Sequence, residues 1–162
     1  MSAPVYLVAC VGQKRPTPAR ARDLYQSDWF KKARAYVEAQ GGRWFILSAL
    51  HGLIPPGRVI DPYNVTLATM SAAERRAWGE RVAAQLAGKI GPRTRVVILA
   101  GRLYRDPLAS WTGNRATVPM EGLGIGEQKA WLAGQLAELR DKADRAAQLD
   151  LFDLLPATEN VA

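Results

Sequence analysis

Apolar residues in this chain gather into three short unbroken runs, and between them apolar positions recur at helical spacing. Val5 to Val11 (VYLVACV) is rich in β-branched residues and stops at Gly12; Trp44 to Leu47 lies between Gly41-Gly42 and Gly52; Arg95 to Ala100 (RVVILA) ends at Gly101. Runs of this kind are what strands covered on both faces look like. Between the first two, Ser27 or Asp28 can cap a helix through about Gln40, with Phe30, Ala33 and Tyr36 or Val37 as its apolar side and Gly41 as its stop. Ser71-Ala-Ala-Glu74 has the capping-box pattern and predicts a helix to about Leu86 or Ala87. Leu103, Tyr104, Leu108 and Trp111 predict a short helix broken at Pro107, Ala116 to Val118 a fourth, short strand, and Glu127 to Ala146 a last helix. Strand and helix alternate, so an α/β fold follows: a three-layer, mostly parallel four-stranded sheet with helices on both faces, built as one domain over residues 1–145. Residues 146–162 are expected to form a flexible tail.

In that order of elements the segments Gly12 to Arg22, Ser48 to Asn64, Gly101 to Tyr104 and Pro119 to Gly126 all follow strands. They should converge on the carboxyl edge of the sheet, where open α/β sheets place their ligands. Composition adds limits rather than a new picture. With 162 residues, 48% hydrophobic and 23% charged, the chain suffices for one real core. No apolar run has the length of a bilayer span, and the N-terminus lacks the basic segment of a signal peptide, so a soluble cytoplasmic protein with no membrane partner is expected. The single cysteine, Cys10, excludes an internal disulfide and fits a reducing compartment. The net charge of +7 is uneven: Lys14 to Arg34 holds seven basic residues against Asp23 and Asp28, a footprint suited to phosphates.

The richest stretch is Arg43 to Leu67, where the second strand delivers Ser48, His51, Asp61, Tyr63, Asn64 and Thr66 into one proline-punctuated loop. His51, the only histidine, can move a proton or assist a departing base; as a structural residue it would simply donate a hydrogen bond. Asp61 can activate water or stabilise positive charge developing on a sugar, or it can serve an Asp-Pro turn. Cys10 sits beside Lys14 and Arg15, whose charge favours a thiolate; alternatively it is a small buried hydrophobe. One cysteine and one histidine do not make a zinc site, and no metal or other cofactor is expected. The GLGIG run at 122–126 is a weak nucleotide motif, but with Glu121 beside it, it offers backbone amides to an anion. Tyr25, Tyr63, Tyr104 and Trp111 can stack a base or belong to the core.

Beyond Ala146 the chain has no basic residue and carries Leu149, Leu151, Phe152, Leu154 and Leu155. Its peptide Gln148-Leu149-Asp150-Leu151-Phe152 resembles the pentapeptide by which bacterial DNA polymerases and repair proteins dock on the β sliding clamp; the alternative is a terminal helix folded back on the domain. The blocks VACVGQKR, ARDLYQSDWFKKARAY, WFILSALHGLIPPGRVIDPYNVTL, LAGRLYRDPL and VPMEGLGIGEQKAWL together resemble a bacterial and phage family, domain of unknown function 6884, over most of Val5 to Leu132. That family is similar in outline to YaaA-type proteins and to the base-handling domain of archaeosine synthase, and through it to uracil-DNA-glycosylase-like folds, which implies handling of a nucleobase. His51 is followed by Gly52 and Leu53 where uracil glycosylases carry a proline and a serine, so their particular mechanism is not implied.

The expectation is a DNA-acting enzyme, an N-glycosidase or related base-processing hydrolase. Asp61 and His51 are the catalytic candidates; Cys10, Gln13, Ser48, Tyr63, Asn64 and Glu121 would contact the base, and Lys14, Arg15, Arg20, Arg22 and Arg102 the phosphates. Two alternatives stand beside it: a non-catalytic DNA-binding accessory protein recruited through the clamp, and an enzyme acting on free nucleotides.

Overall fold

The first apolar run becomes the middle of a sheet. In a computed structural model, which describes residues 3–10 and 12–154, strand β1 (Val5–Ala9) is buried along its whole length. The run had been expected to reach Val11, which lies outside the described residues. After β1 the chain makes a two-residue strand β2 (Ala19–Arg20), one turn of helix α1 (Ala21–Leu24), and helix α2 (Asp28–Ala39), capped as expected by the Ser27 side chain accepting from the Phe30 amide. Strand β3 (Trp44–Ser48) turns back into β4 (Gly52–Ile54), followed by the short β5 (Val59–Ile60). Helix α3 (Ala72–Ala87) opens on the complete Ser71/Glu74 capping box and leads to β6 (Val96–Leu99). Helix α4 (Arg102–Arg105), a 3-10 turn at Asp106–Leu108, helix α5 (Ala109–Thr112), β7 (Ala116–Thr117) and the long helix α6 (Ile125–Asp153) complete the fold.

The main sheet has five strands in the order β4-β3-β1-β6-β7, one more than expected. Strands β1, β3, β6 and β7 run parallel, and β4 adds an antiparallel edge because Gly52, at φ +73°, reverses the chain where a loop had been expected. The open edge amide of Leu53 is answered by the Gln85 side chain at 2.8 Å. β2 and β5 pair as a separate antiparallel ribbon, Ala19 opposite Ile60 and Arg20 opposite Val59, which the sequence did not suggest.

Alternation along the strands sorts the core into two layers. Tyr6 and Val8 of β1 with Trp44 and Ile46 of β3 face α2 and α6, meeting Phe30, Ala33, Val37 and Leu132. Val5, Leu7, Phe45 and Leu47 face α3, meeting Trp78, Val82 and Leu86. Full burial of each such leucine or isoleucine contributes roughly 1.5–3 kcal/mol, and Leu7, Ile46, Leu47 and Leu86 are all fully buried. This is the three-layer α/β arrangement that the order of elements implied. Among the described residues no helix is long and apolar enough to cross a membrane.

The last helix departs from expectation. It runs through Asp153 rather than stopping near Ala146, so Gln148, Leu149, Asp150, Leu151 and Phe152 lie on helical backbone. Every residue from 141 to 154 is exposed, with no folding back onto the domain. Leu155 to Ala162 lie outside the described residues.

Candidate functional site

The strand order reverses direction at β1, with β3 on one side and β6 on the other, so the loops leaving these three strands part at their carboxyl ends, the switch point at which open α/β sheets form their ligand crevice. Cys10 follows β1, Ser48 ends β3, and Tyr104 lies in α4 just after β6. Tyr63, from the loop after β5, reaches into the middle of them. Its phenol oxygen lies 2.7 Å from Ser48 Oγ, which donates to it, and 2.7 Å from the Tyr25 hydroxyl. Its own O–H donates to Cys10 Sγ at 3.4 Å, and the Tyr104 hydroxyl stands 3.8 Å from the same sulfur. With the Tyr63 proton directed at sulfur, Tyr25 is left as the donor of the phenol–phenol bond. Burial first, and then the charge of Cys10 when ionised, push the hydroxyls of Tyr25, Tyr63 and Tyr104 well above the ordinary phenol value of 10.0. All three are neutral donors at any physiological pH.

Ser48 is wholly buried, and its groups are all engaged. Oγ accepts from the His51 backbone amide at 3.1 Å, while its carbonyl accepts from Trp78 Nε1 at 2.9 Å. The His51 carbonyl accepts from Gln85 Nε2 at 3.4 Å, so both ends of the His51 backbone are held. Gly52 is required immediately after it, since a Cβ there would meet the Gln85 side chain as well as demand a left-handed backbone. The His51 ring stands edge-on to Tyr63 at 5.5 Å between centroids. Its pKa is lowered from 6.5, first by burial and then by Arg58 and Arg81, with Asp61 opposing them. His51 is therefore a neutral imidazole at neutral pH. Because its native pKa lies below the unfolded value, protonation of the unfolded chain erodes stability as pH falls below about 6.5.

Asp61 is exposed and makes no ion pair among the described residues. It is thus an unencumbered carboxylate within electrostatic reach of His51. The β2–β5 ribbon explains the charge around it. Ala21 N bonds Arg58 O at 2.8 Å and Arg22 N bonds Pro56 O at 2.9 Å, carrying Arg20 and Arg22 onto the loop that contains Arg58 and Asp61. Lys14 Nζ lies over the Tyr63 ring, 4.5 Å from its centroid, and 5.7 Å from that of Tyr25. Arg15 and Gln13 are pinned through backbone bonds to Leu24 and Gln26, with their side chains exposed; Asn64 is exposed next to Tyr63.

The structure therefore brings together Cys10, Lys14, Ser48, His51 and Tyr63, with Arg20 on the neighbouring ribbon, Arg22 in α1 just after it and Asp61 directly after β5. Other expected members stand apart. Glu121 belongs to a separate cavity of about 180 Å³ with Arg105 and Gln128, its carboxylate 3.4 Å from the Arg105 guanidinium. Arg102 points to a cleft against α3, and residues 148–152 are on the far part of α6. Of the aromatic candidates, Tyr25 is 1% exposed and cannot stack a ligand, and Trp111 stacks under Arg115 at 4.3 Å. The sequence pattern points to neither Arg58 nor Arg81: Arg58 lies in a turn without a readable period, and Arg81, on α3, reaches the segment before His51 by donating to the Leu50 carbonyl at 3.1 Å, a partner 31 positions away. Among the described residues no group of three or more His, Cys, Asp or Glu side chains is placed to hold a metal ion.

Comparison with known proteins fixes the lineage. Residues 5–134 match a family of unknown function, DUF6884. The chain belongs to that family. It is also similar to the "Uncharacterized protein YfjM" of Bacillus subtilis (strain 168), with 31% identity over 103 residues. That match covers 59% of this chain and 64% of YfjM, so the chain spans under two thirds of its relative. The DUF6884 match takes in every residue of the crevice, from Cys10 to Tyr104, and ends before the exposed part of α6.

Proposed function

We propose that this DUF6884 protein binds DNA, draws a nucleotide out of the stack, and breaks the N-glycosidic bond of its base in the crevice. The observation that carries the reading is a carboxylate free of ion pairs among the described residues, Asp61, within electrostatic reach of a neutral imidazole, His51, at the end of a basic ribbon. The C1′–N bond breaks with its electron pair leaving on the base, and His51 donates a hydrogen bond to the departing nitrogen. Asp61 stabilises the oxocarbenium-like sugar and accepts the proton of the water that adds to C1′. Ser48 and Tyr63 fix the position of His51, while Lys14, Arg15, Arg20 and Arg22 hold phosphates. Gln13, Asn64 and the Tyr63–Cys10–Tyr104 hydroxyl and sulfur groups supply contacts to the base edge.

The test is to incubate the protein with unmodified and heavily modified phage DNA and to look for released bases by mass spectrometry and for alkali-labile sites. Release of one defined base is expected; DNA that is bound yet never loses a base would replace the enzyme by an accessory protein.

The exposed end of α6 favours a second element of the reading, recruitment by a β sliding clamp. Leu149, Leu151, Phe152 and Leu154 are 66–80% exposed, an apolar group with no cover on the domain. In this proposal Gln148 to Phe152 docks on the clamp, with leucine and phenylalanine filling its pocket. Leu151→Ala/Phe152→Ala is expected to abolish binding to purified clamp while leaving DNA affinity untouched; clamp binding that survives the double substitution would remove this peptide from the proposal.

A further inference from the structure

A second basic feature lies outside the crevice. A cleft of about 620 Å³ opens between the first turns of α3 and α4, lined by Arg75, Arg76, Arg102, Leu103 and Asp106 among others. Arg75 is committed locally, its guanidinium donating to the Met70 carbonyl at 2.7 Å. Arg76 and Arg102 are exposed, and among the described residues neither makes a side-chain hydrogen bond or ion pair; Asp106, the acid in the lining, pairs with neither. Two guanidinium groups brought to the lining of one cavity by different elements offer donors to an anion held between them, and a phosphate oxygen pair suits the guanidinium fork.

The walls are fixed in place before any ligand arrives. Gly79 lets α3 touch Pro107, and Trp78 meets Tyr104 edge-on at 5.6 Å between centroids. Tyr104 is also the residue that reaches Cys10, so the cleft and the crevice share the four-residue helix α4. The β2–β5 ribbon, through Ala19 and Ile60, packs with the α2 layer, whereas Trp78, Leu108 and Tyr104 pack with the α3 layer. Cations without an ion pair among the described residues thus lie on both faces of the sheet.

We infer that the Arg76/Arg102 cleft is a second phosphate subsite, holding a backbone phosphate of the same DNA strand whose nucleotide enters the crevice; the inference rests on the DNA-binding reading above. The strand then crosses the carboxyl edge of the sheet, gripped on one side by the ribbon and on the other by α3 and α4. The test is the salt dependence of binding to a short DNA oligonucleotide, single- and double-stranded, for the wild type and Arg76→Gln/Arg102→Gln, beside a nucleoside 5′-monophosphate. Removal of one phosphate contact should flatten the log–log salt slope by about 1 and weaken oligonucleotide binding about tenfold at low salt. Affinity for the monophosphate, which the crevice and ribbon hold, should not change. An unchanged slope with unchanged affinity overturns the subsite while leaving the proposed function intact. Loss of monophosphate binding with an unchanged slope would instead assign the cleft to a free anion and overturn it too. A wild type with no salt-dependent DNA binding overturns subsite and function together; DNA binding with the expected slope change but no base release keeps the subsite and removes only the chemistry.

Discussion

Asp61→Asn should abolish base release, lowering turnover by roughly 10²- to 10⁴-fold, while DNA affinity stays equal to or slightly above that of the wild type. The substitution keeps shape and removes charge. Asp61 is exposed and free of ion pairs among the described residues, so the fold has little at stake, and the unfolding free energy should change by no more than about 0.5 kcal/mol. An amide can neither take the proton of an attacking water nor offset positive charge on a sugar, whereas the substitution removes a negative group from the loop that carries Arg58. The predicted pattern, chemistry lost and binding kept, is what separates a catalytic carboxylate from an Asp-Pro turn residue. Single-turnover base release and equilibrium DNA binding, measured on the same preparation, check it. Wild-type turnover in the variant would remove Asp61 from the mechanism.

Gly79→Ala should destabilise the protein by about 3 kcal/mol, the upper end of what overpacking usually costs. Helix propensity alone points the other way, since alanine within a helix is favoured over glycine by about 1 kcal/mol. Packing decides the sign. A Cβ on Gly79 would overlap the Pro107 carbonyl oxygen and lie 2.6 Å from Pro107 Cβ and 2.9 Å from its carbonyl carbon. These are mostly backbone atoms that cannot swing aside, and the 3-10 turn at Asp106–Leu108 sits on buried Leu108. For a chain of this size the expected fall in melting temperature is about 6–12 °C. A variant as stable as the wild type would mean that α3 and this turn separate freely, and that the Arg76/Arg102 cleft has no fixed width.

What could be read from the sequence was what local chemistry determines. The β1, β3 and β6 runs, the Ser27 cap and the Ser71/Glu74 box each need only a few neighbouring residues, and their elements formed where expected. The gathering of Cys10, Ser48 and Tyr104 at the carboxyl edge followed from element order, whereas Pro119 to Gly126, expected at the same place, contributes to a separate cavity. Two-residue strands such as β2 and β5 are too short to carry a period, and Gly52-Leu53-Ile54 read as loop because its strand character depends on pairing with Ile46 to Ser48. The expected end of α6 near Ala146 came too early: no glycine or proline stands between Ala146 and Pro156, and the expectation of a tail rested on the lack of basic residues, on Pro156 and on the stranded apolar side chains. The Tyr63 hub was legible as residue types, but its role comes from partners 15, 38 and 53 positions away, distances at which sequence pattern is silent. Gly79 did leave a trace: a glycine inside a helical stretch is costly and calls for a packing reason.

The uncovered portion of α6 also sets a distance. Leu139 is the last of its residues packed against the core layer, and the helix continues to Asp153. At 1.5 Å per residue those turns extend about 20 Å past the last anchoring contact. A short free helix of this length is only marginally stable in water, so whatever grips Leu151 and Phe152 also stiffens the arm behind them. Capture at the tip would turn this extension into a spacer, holding the last anchoring contact at Leu139 about two nanometres from the captured surface.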